Sequence, residues 1–275
     1  MGYTTIDDYI EALCASTAQY VRATKVSQTA EGAGLFHSLW MAAGNYPSAG
    51  ATPPAFTADT TLLRPTNVVL GSIPFTNPAG GTEARLASLE ACGVTVGRVI
   101  LYDRVWHCSG FAGNTASTQT ITNAVNWPVN RGTANGVGVE PFLEFYGAIG
   151  VTGSTITLSF KDPADATVSA TYTHPTNPES VGQMVPMLLP SGCTGVKYPI
   201  SITLAPSSGT LGDFGITLMR RIASVPIQLA NVGDNFDLGK LGFPKVESSA
   251  CLALMVLCST TSTGFMMVNT AICET

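Results

Sequence analysis

From Gly195 to Leu204 the chain alternates: Val196, Tyr198, Ile200, Ile202 and Leu204 fall in one phase, and Lys197, Ser201 and Thr203 in the other. Successive side chains of a strand point to opposite faces, so this pattern gives one apolar and one mainly polar face, which no helix could do. It predicts a half-buried strand of an antiparallel sheet. Pro199 lies in the polar phase and has no N–H to give to a ladder, which predicts an edge or a bulge there. Similar readings predict strands over 67–70, 98–106, 119–122, 139–146 and 214–219. The segments 154–160 and 166–172 alternate on either side of Lys161-Asp-Pro-Ala-Asp165 and predict a hairpin, the Pro and Asp residues suiting the turn. A last pair, 251–257 and 265–272, reads as a second hairpin joined by 259–264.

Three segments carry three- and four-residue apolar spacing and predict helices instead. In the first, over 5–23, Ile6, Tyr9, Ile10, Leu13, Tyr20 and Val21 follow a capping box of Thr5 and Asp8. The second covers 31–40, with Leu35, Phe36, Leu39 and Trp40 on one side and Gly44 as its stop; the third covers 83–92, ended by Gly93. The stretch 45–54 is Pro-rich and extended. With few helices between strands, parallel βαβ units are unfavoured, and no repeat of fixed period is visible. The expectation is a mainly β chain: an antiparallel β-sandwich or jelly-roll-like domain over 59–275, preceded by a short N-terminal helical and extended arm over 1–58.

Charge changes the picture most. Charged residues make up 11% of the 275 residues, against roughly 25% in ordinary domains. Mean hydropathy is +0.26, yet the most apolar run, Ala250 to Cys258, is far short of the roughly 20 residues a spanning helix needs. Hydrophobic residues at 45% and a net charge of −5 exclude a disordered chain. Because charge is depleted at the cores of protein interfaces, the composition points to a surface largely covered by other protein. Thirteen Lys and Arg with no basic cluster beyond Arg220-Arg221 exclude a nucleic-acid partner. Met1 to Asp8 is acidic where a secretion signal would be basic, and seven cysteines with no CxxC read as reduced thiols of a chain made in a cytosol. Cys258 and Cys273 flank the last predicted hairpin, so a disulfide between them is conceivable but unneeded.

Candidate chemistry is sparse. His37, His107 and His174 have no second ligand at metal spacing, and His107 and Cys108 would point to opposite faces of a strand. Gly136-Val-Gly-Val-Glu140 lacks the third glycine of a dinucleotide loop. Asp234-Asn-Phe-Asp237 lacks the glycine and terminal glutamate of a calcium loop. Glu140 and Glu144, four apart on a strand, would stand about 13 Å from each other at ~3.3 Å per residue, too far for a glycosidase pair. Asp103 and Arg104, inside an apolar strand, are expected to form satisfied ion pairs. No catalytic, cofactor-binding or metal-binding residue is expected, and no enzyme activity.

The segments Arg98 to Phe111, Gly138 to Gly147, Gly212 to Leu229 and Ala250 to Gly264, together with Ser38-Leu-Trp40 followed by Gly44 and Pro47, resemble virion structural proteins of tailed bacteriophages. There is no long charged spine helix or early charged loop of a major capsid protein. The resemblance therefore implies an auxiliary head protein of the cement or decoration kind, located in the virion. Its partners would be the major capsid protein and copies of itself in a homo-oligomer, a trimer being the favoured symmetry. The residues expected to bind partners are Ile6, Ile10, Leu13, Leu35, Phe36 and Trp40. A tail or fibre component that contacts the host, with exposed aromatics around Trp127 and Tyr172, is the alternative.

Overall fold

The structure is a computed structural model, and it describes residues 5–28, 31–122, 131, 134–150, 152–174 and 179–274. Trp127 lies outside these. The chain is mainly antiparallel β, with a six-stranded barrel at its centre. Among the described residues fifteen strands run in the order β1 (Gln19–Lys25), β2 (Phe36–Ser38), β3 (Ala84–Gly93), β4 (Gly97–His107), β5 (Gln119–Thr120), β6 (Val139–Gly147), β7 (Ser154–Lys161), β8 (Thr167–His174), β9 (Gln183–Pro186), β10 (Tyr198–Ala205), β11 (Asp213–Ile227), β12 (Asp234–Phe236), β13 (Lys245–Val246), β14 (Leu252–Cys258) and β15 (Met266–Glu274). Helix α1 (Ile6–Cys14) precedes them and α2 (Leu238–Leu241) follows β12.

The barrel closes in the order β11-β4-β14-β2-β9-β6. A sheet ordered β1-β15-β3-β12, with β13 also on β3, packs against one side, and a second sheet, β5-β10-β7-β8, against the other. Alternation along the barrel strands explains the layering. Val99, Leu101, Val225, Leu254 and Val256 point out of the barrel and meet Leu86, Leu89, Val268 and Ile272 of the first sheet. Leu143, Phe145, Ile216 and Leu218 point out and meet Ile156, Leu158, Phe160, Ile202 and Leu204 of the second. Ile100, Tyr102, Phe142, Met184, Met219 and Met255 point inward and form a separate apolar cluster.

Several elements differ from the sequence reading, each for a definable reason. The helix expected over 83–92 is strand β3. Its register against β15 slips between Ala271 and Ile272, leaving Ala87 as an extra residue. That bulge puts Leu86 and Leu89, three apart, on the same buried face and imitates helical spacing. The helix expected over 5–23 stops at Cys14. Its capping box forms as expected, with Asp8 N–H donating to Thr5 Oγ1 at 3.1 Å and Thr5 N–H to Asp8 Oδ2 at 3.0 Å. Beyond it, β1 buries Ala23 and Lys25 and exposes Tyr20 and Arg22 in strand alternation, paired to β15 from Gln19–Ile272 to Lys25–Met266. The helix expected over 31–40 does not form: Gly34 sits at φ +79°, and Phe36 to Ser38 is strand β2, which closes the barrel between β14 and β9. Thus residues 19–25 and 36–38 of the segment read as an arm are strands hydrogen-bonded into the body.

The strand expected over 67–70 is a turn, with Val69 N–H donating to Thr66 O and Ser72 N–H to Val69 O. The last predicted hairpin is not one. β14 pairs with β4 and β2 in the barrel, and β15 with β3 and β1 in the outer sheet. Cys258 and Cys273 are both free thiols. The hairpin β7–β8 does form, in unbroken register from Ser154–His174 to Lys161–Thr167. In β10 the register slips between Pro199 and Ser201, the bulge that Pro199 announced. The slip splits the expected apolar face: Ile202 and Leu204 are buried, whereas Tyr198 and Ile200 are half-buried.

Candidate assembly surface

Several ionised side chains are buried in the interior. Arg104 points into the barrel from β4 with its side chain fully buried, and its guanidinium reaches Glu144 on β6 in a fork, Nη1 to Oε1 at 3.2 Å and Nη2 to Oε2 at 2.5 Å. Thr217 Oγ1 and Tyr146 Oη also donate to Glu144 Oε2, at 2.6 and 2.9 Å. Burial alone would push the Glu144 carboxyl up, but the charge and hydrogen bonds of Arg104 outweigh it and hold the group below the ordinary carboxylate range. Arg104 Nε donates to His107 Nδ1 at 2.8 Å. Burial, reinforced by the charges of Arg104 and Arg131, keeps His107 neutral, well below the usual imidazole value. Next along β4, Asp103 accepts from Arg131 Nη2 and from the Cys251 N–H. The ion pairs expected from the position of Asp103 and Arg104 in an apolar strand form, but they are not fully satisfied: Asp103 Oδ2 and Arg131 Nε are buried without a hydrogen-bond partner, and Arg220 Nη2 comes no nearer to Asp103 Oδ2 than 4.0 Å. The residues sequence reasoning missed are their counterparts Glu144 and Arg131, since a strand order cannot be read from one strand.

Trp40 covers the end of this network. Its ring lies 4.7 Å from the Arg104 guanidinium carbon and 5.6 Å, edge-on, from the His107 ring, and its Nε1–H donates to Ala51 O at 2.8 Å. Trp40 is buried, at 3% exposure.

Of the 13 basic and 18 acidic residues, eight are buried: Lys25, Glu31, Asp103, Arg104, Arg131, Glu144, Glu179 and Lys197. The other 23 are partly or fully exposed, and large apolar side chains stand on the exterior beside them. Helix α1 lies against the outer sheet through Tyr9, Ala12 and Leu13, which pack on Ala87, Phe243, Ala271 and Cys273. Tyr9 Oη donates to Ala87 O at 3.1 Å. Ile6 and Ile10, at the flank of the same helix, are 70% and 50% exposed. Beside it Tyr20, 67% exposed, borders a groove of about 500 Å³ lined by Arg22, Glu90, Asn235 and Asn269. Leu13 is half-buried in the seat of the helix, Leu35 is 42% exposed, and Phe36 packs against the barrel's inner cluster. The structure thus brings Ile6, Ile10 and Leu13 together on one helix and places Leu35, Phe36 and Trp40 on and beside β2.

A second apolar area escaped the sequence reading. Leu62, Val68 and Leu70 stand 59%, 84% and 66% exposed in the turns that precede β3. With Arg64, Pro53 and Trp40, Leu62 and Leu70 line a cleft of about 380 Å³. Its signal was present as the apolar run Asn67 to Leu70 between Pro65 and Gly71, which reads equally as a strand. Tyr172 is half-buried, and its hydroxyl donates to Glu179 Oε1 at 3.2 Å.

Among the described residues no helix is long and apolar enough to cross a membrane, and no group of three or more His, Cys, Asp or Glu is placed to hold a metal. No protein-family model matches the chain, and no curated protein matches it. Solved structures of VP2 from infectious bursal disease virus align over most of its length. A VP2 subviral particle is 9% identical, covering 94% of this chain and 80% of that one, with a TM-score of 0.23. The virus of the Gt strain is 11% identical over the same shares, with a TM-score of 0.20. Scores this low carry no argument about this chain.

Proposed function

We propose that this chain is a non-enzymatic structural subunit of a virion that works by associating with copies of itself and with the protein of a capsid lattice. The observation that carries the reading is a chain poor in charge that leaves large apolar side chains exposed. A quarter of the ionised side chains are buried, while large apolar residues such as Ile6, Ile10, Leu62, Val68 and Leu70 stand in water. Exposed apolar area contributes roughly 25 cal/mol for each Å² it buries on association, and a surface short of charge has little desolvation cost to offset that gain. The resemblance of Arg98 to Phe111 and Ala250 to Gly264 to virion proteins of tailed bacteriophages gives this tendency a setting, that of a cement or decoration protein of the head.

The apolar side of α1, Ile6 and Ile10, is the proposed contact with the lattice. Its test is to mix purified chain with phage heads lacking auxiliary protein and to pellet the particles. Wild type is expected to co-sediment, and the Ile6→Asp, Ile10→Asp double variant to stay in the supernatant. Equal recovery of both in the pellet would remove α1 from the contact, and no binding by wild type would remove the decoration role.

A further inference from the structure

The outer sheet edges of this chain are treated in two ways. β5, β12 and β13 are only two or three residues long, and β1 is partly covered by residues 43–46 through Thr24 N–H to Tyr46 O and Val26 N–H to Ala43 O. β8 is different. It is an eight-residue strand at the end of its sheet, paired on one side to β7 and on the other to nothing among the described residues. It carries no Lys, Arg, Pro or bulge, the devices by which edges are normally blunted. A long regular edge with unmatched backbone N–H and C=O groups is a template for another strand.

We infer that β8 is a self-association edge, pairing antiparallel with β8 of a second copy about a two-fold axis normal to the sheet. This rests on the proposal that the chain is an oligomeric structural subunit, and names the surface. The side-chain pattern fits the symmetry. Opposed residues of an antiparallel pair project from the same face, and a two-fold normal to the sheet keeps the faces in place. Centred on Ala170, the pairing sets Thr167 against Thr173 and Ser169 against Thr171 on the solvent face, and Val168 against Tyr172 on the inner one. Hydroxyl meets hydroxyl, apolar meets apolar, and no like charges are opposed. Ser169, Thr171 and Thr173 are exposed in the single chain while Val168 and Tyr172 are half-buried, so the added strand would extend an existing layer. The joined sheet would run β5-β10-β7-β8 in one copy and back through the other, an isologous contact.

The experiment is sedimentation velocity on three forms of the full chain: wild type, Ser169→Lys with Thr171→Lys, and Ser169→Glu with Thr171→Glu. Both positions are exposed, and unchanged melting curves establish that each variant is folded. The expected result is a dimer for wild type, monomers for each charged variant alone, and a salt-sensitive dimer when the two variants are mixed in equal amounts. Thr157→Lys, one strand in on β7, is expected to dimerise like wild type. Association of the lysine variant at wild-type strength, or its loss in Thr157→Lys as well, would overturn the edge while leaving the oligomeric reading intact. A wild-type chain that stays monomeric would overturn both.

Discussion

Arg104 and Glu144 face one another inside the barrel from strands that do not touch: β4 and β6 each pair with β11, and the guanidinium spans the gap in a two-pronged bond. The bond therefore fixes the spacing of three strands at the level where Thr217 of β11 adds its own hydroxyl. Removing one partner leaves the other charge buried without compensation. Glu144→Gln is expected to cost on the order of 3–5 kcal/mol, read as a lower urea midpoint. The double replacement Arg104→Met, Glu144→Leu should recover most of that loss, because it removes both charges at once.

Lys25 is another buried cation, held among the described residues by the carbonyls of Ala42 at 3.1 Å and Ser48 at 3.3 Å. Burial lowers its pKa from 10.5 to about 8. Between those values the unfolded chain keeps a proton that the folded chain has released, so acidification favours unfolding. Stability should thus rise with pH through this window and show no dependence on this group below it. The full difference is about 3 kcal/mol at ~1.36 kcal/mol per unit. Cysteines and tyrosines titrate there too, so the measurement is the difference between wild type and Lys25→Met in urea unfolding from pH 7.5 to 10. That difference should narrow as pH rises.

Trp40 seals the network by lying against two glycines. A Cβ on Gly50 would stand 2.5 Å from the Trp40 ring and 2.9 Å from Leu70 O, and one on Gly71, at φ +94°, 2.8 Å from the ring. Gly50→Ala is expected to destabilise by about 1–3 kcal/mol through overpacking and to alter Trp40 fluorescence. Gly80→Ala, which meets nothing within 4 Å, should change stability by less than about 0.5 kcal/mol.

The exposed side of α1 makes few contacts within the chain, so Ile6→Asp and Ile10→Asp are expected to leave the melting temperature of the single subunit nearly unchanged, within about 0.5 kcal/mol. A large loss of stability in dilute protein would place these side chains in the fold instead of at an interface.

The strand-rich character of the chain was legible because β7, β8, β11 and the Gly195–Leu204 stretch alternate cleanly. The failures share a cause. A bulge adds a residue to one strand and shifts its phase, so Ala87 made β3 look helical, and the slip after Pro199 divided an apolar face that the sequence shows as continuous. Tyr20 and Val21 completed a helical spacing although Val21 belongs to a strand whose partner, β15, lies some 250 residues away. Strand order, and with it the meeting of Arg104 with Glu144, is a tertiary property invisible to local pattern. Of the residues proposed to bind partners, Ile6 and Ile10 are exposed and Trp40 is buried, a difference the sequence pattern does not mark. Trp40 could not be separated from them, because an apolar residue carries the same signal whether it meets a neighbouring subunit or its own core.

The central claim is that so charge-poor an exterior is a surface for protein, and the most direct measurement is sedimentation velocity of the purified wild-type chain across a wide concentration series. The account predicts a sedimentation coefficient that climbs with concentration to that of a discrete oligomer. A coefficient fixed at the value for 28.6 kDa throughout the series would contradict it.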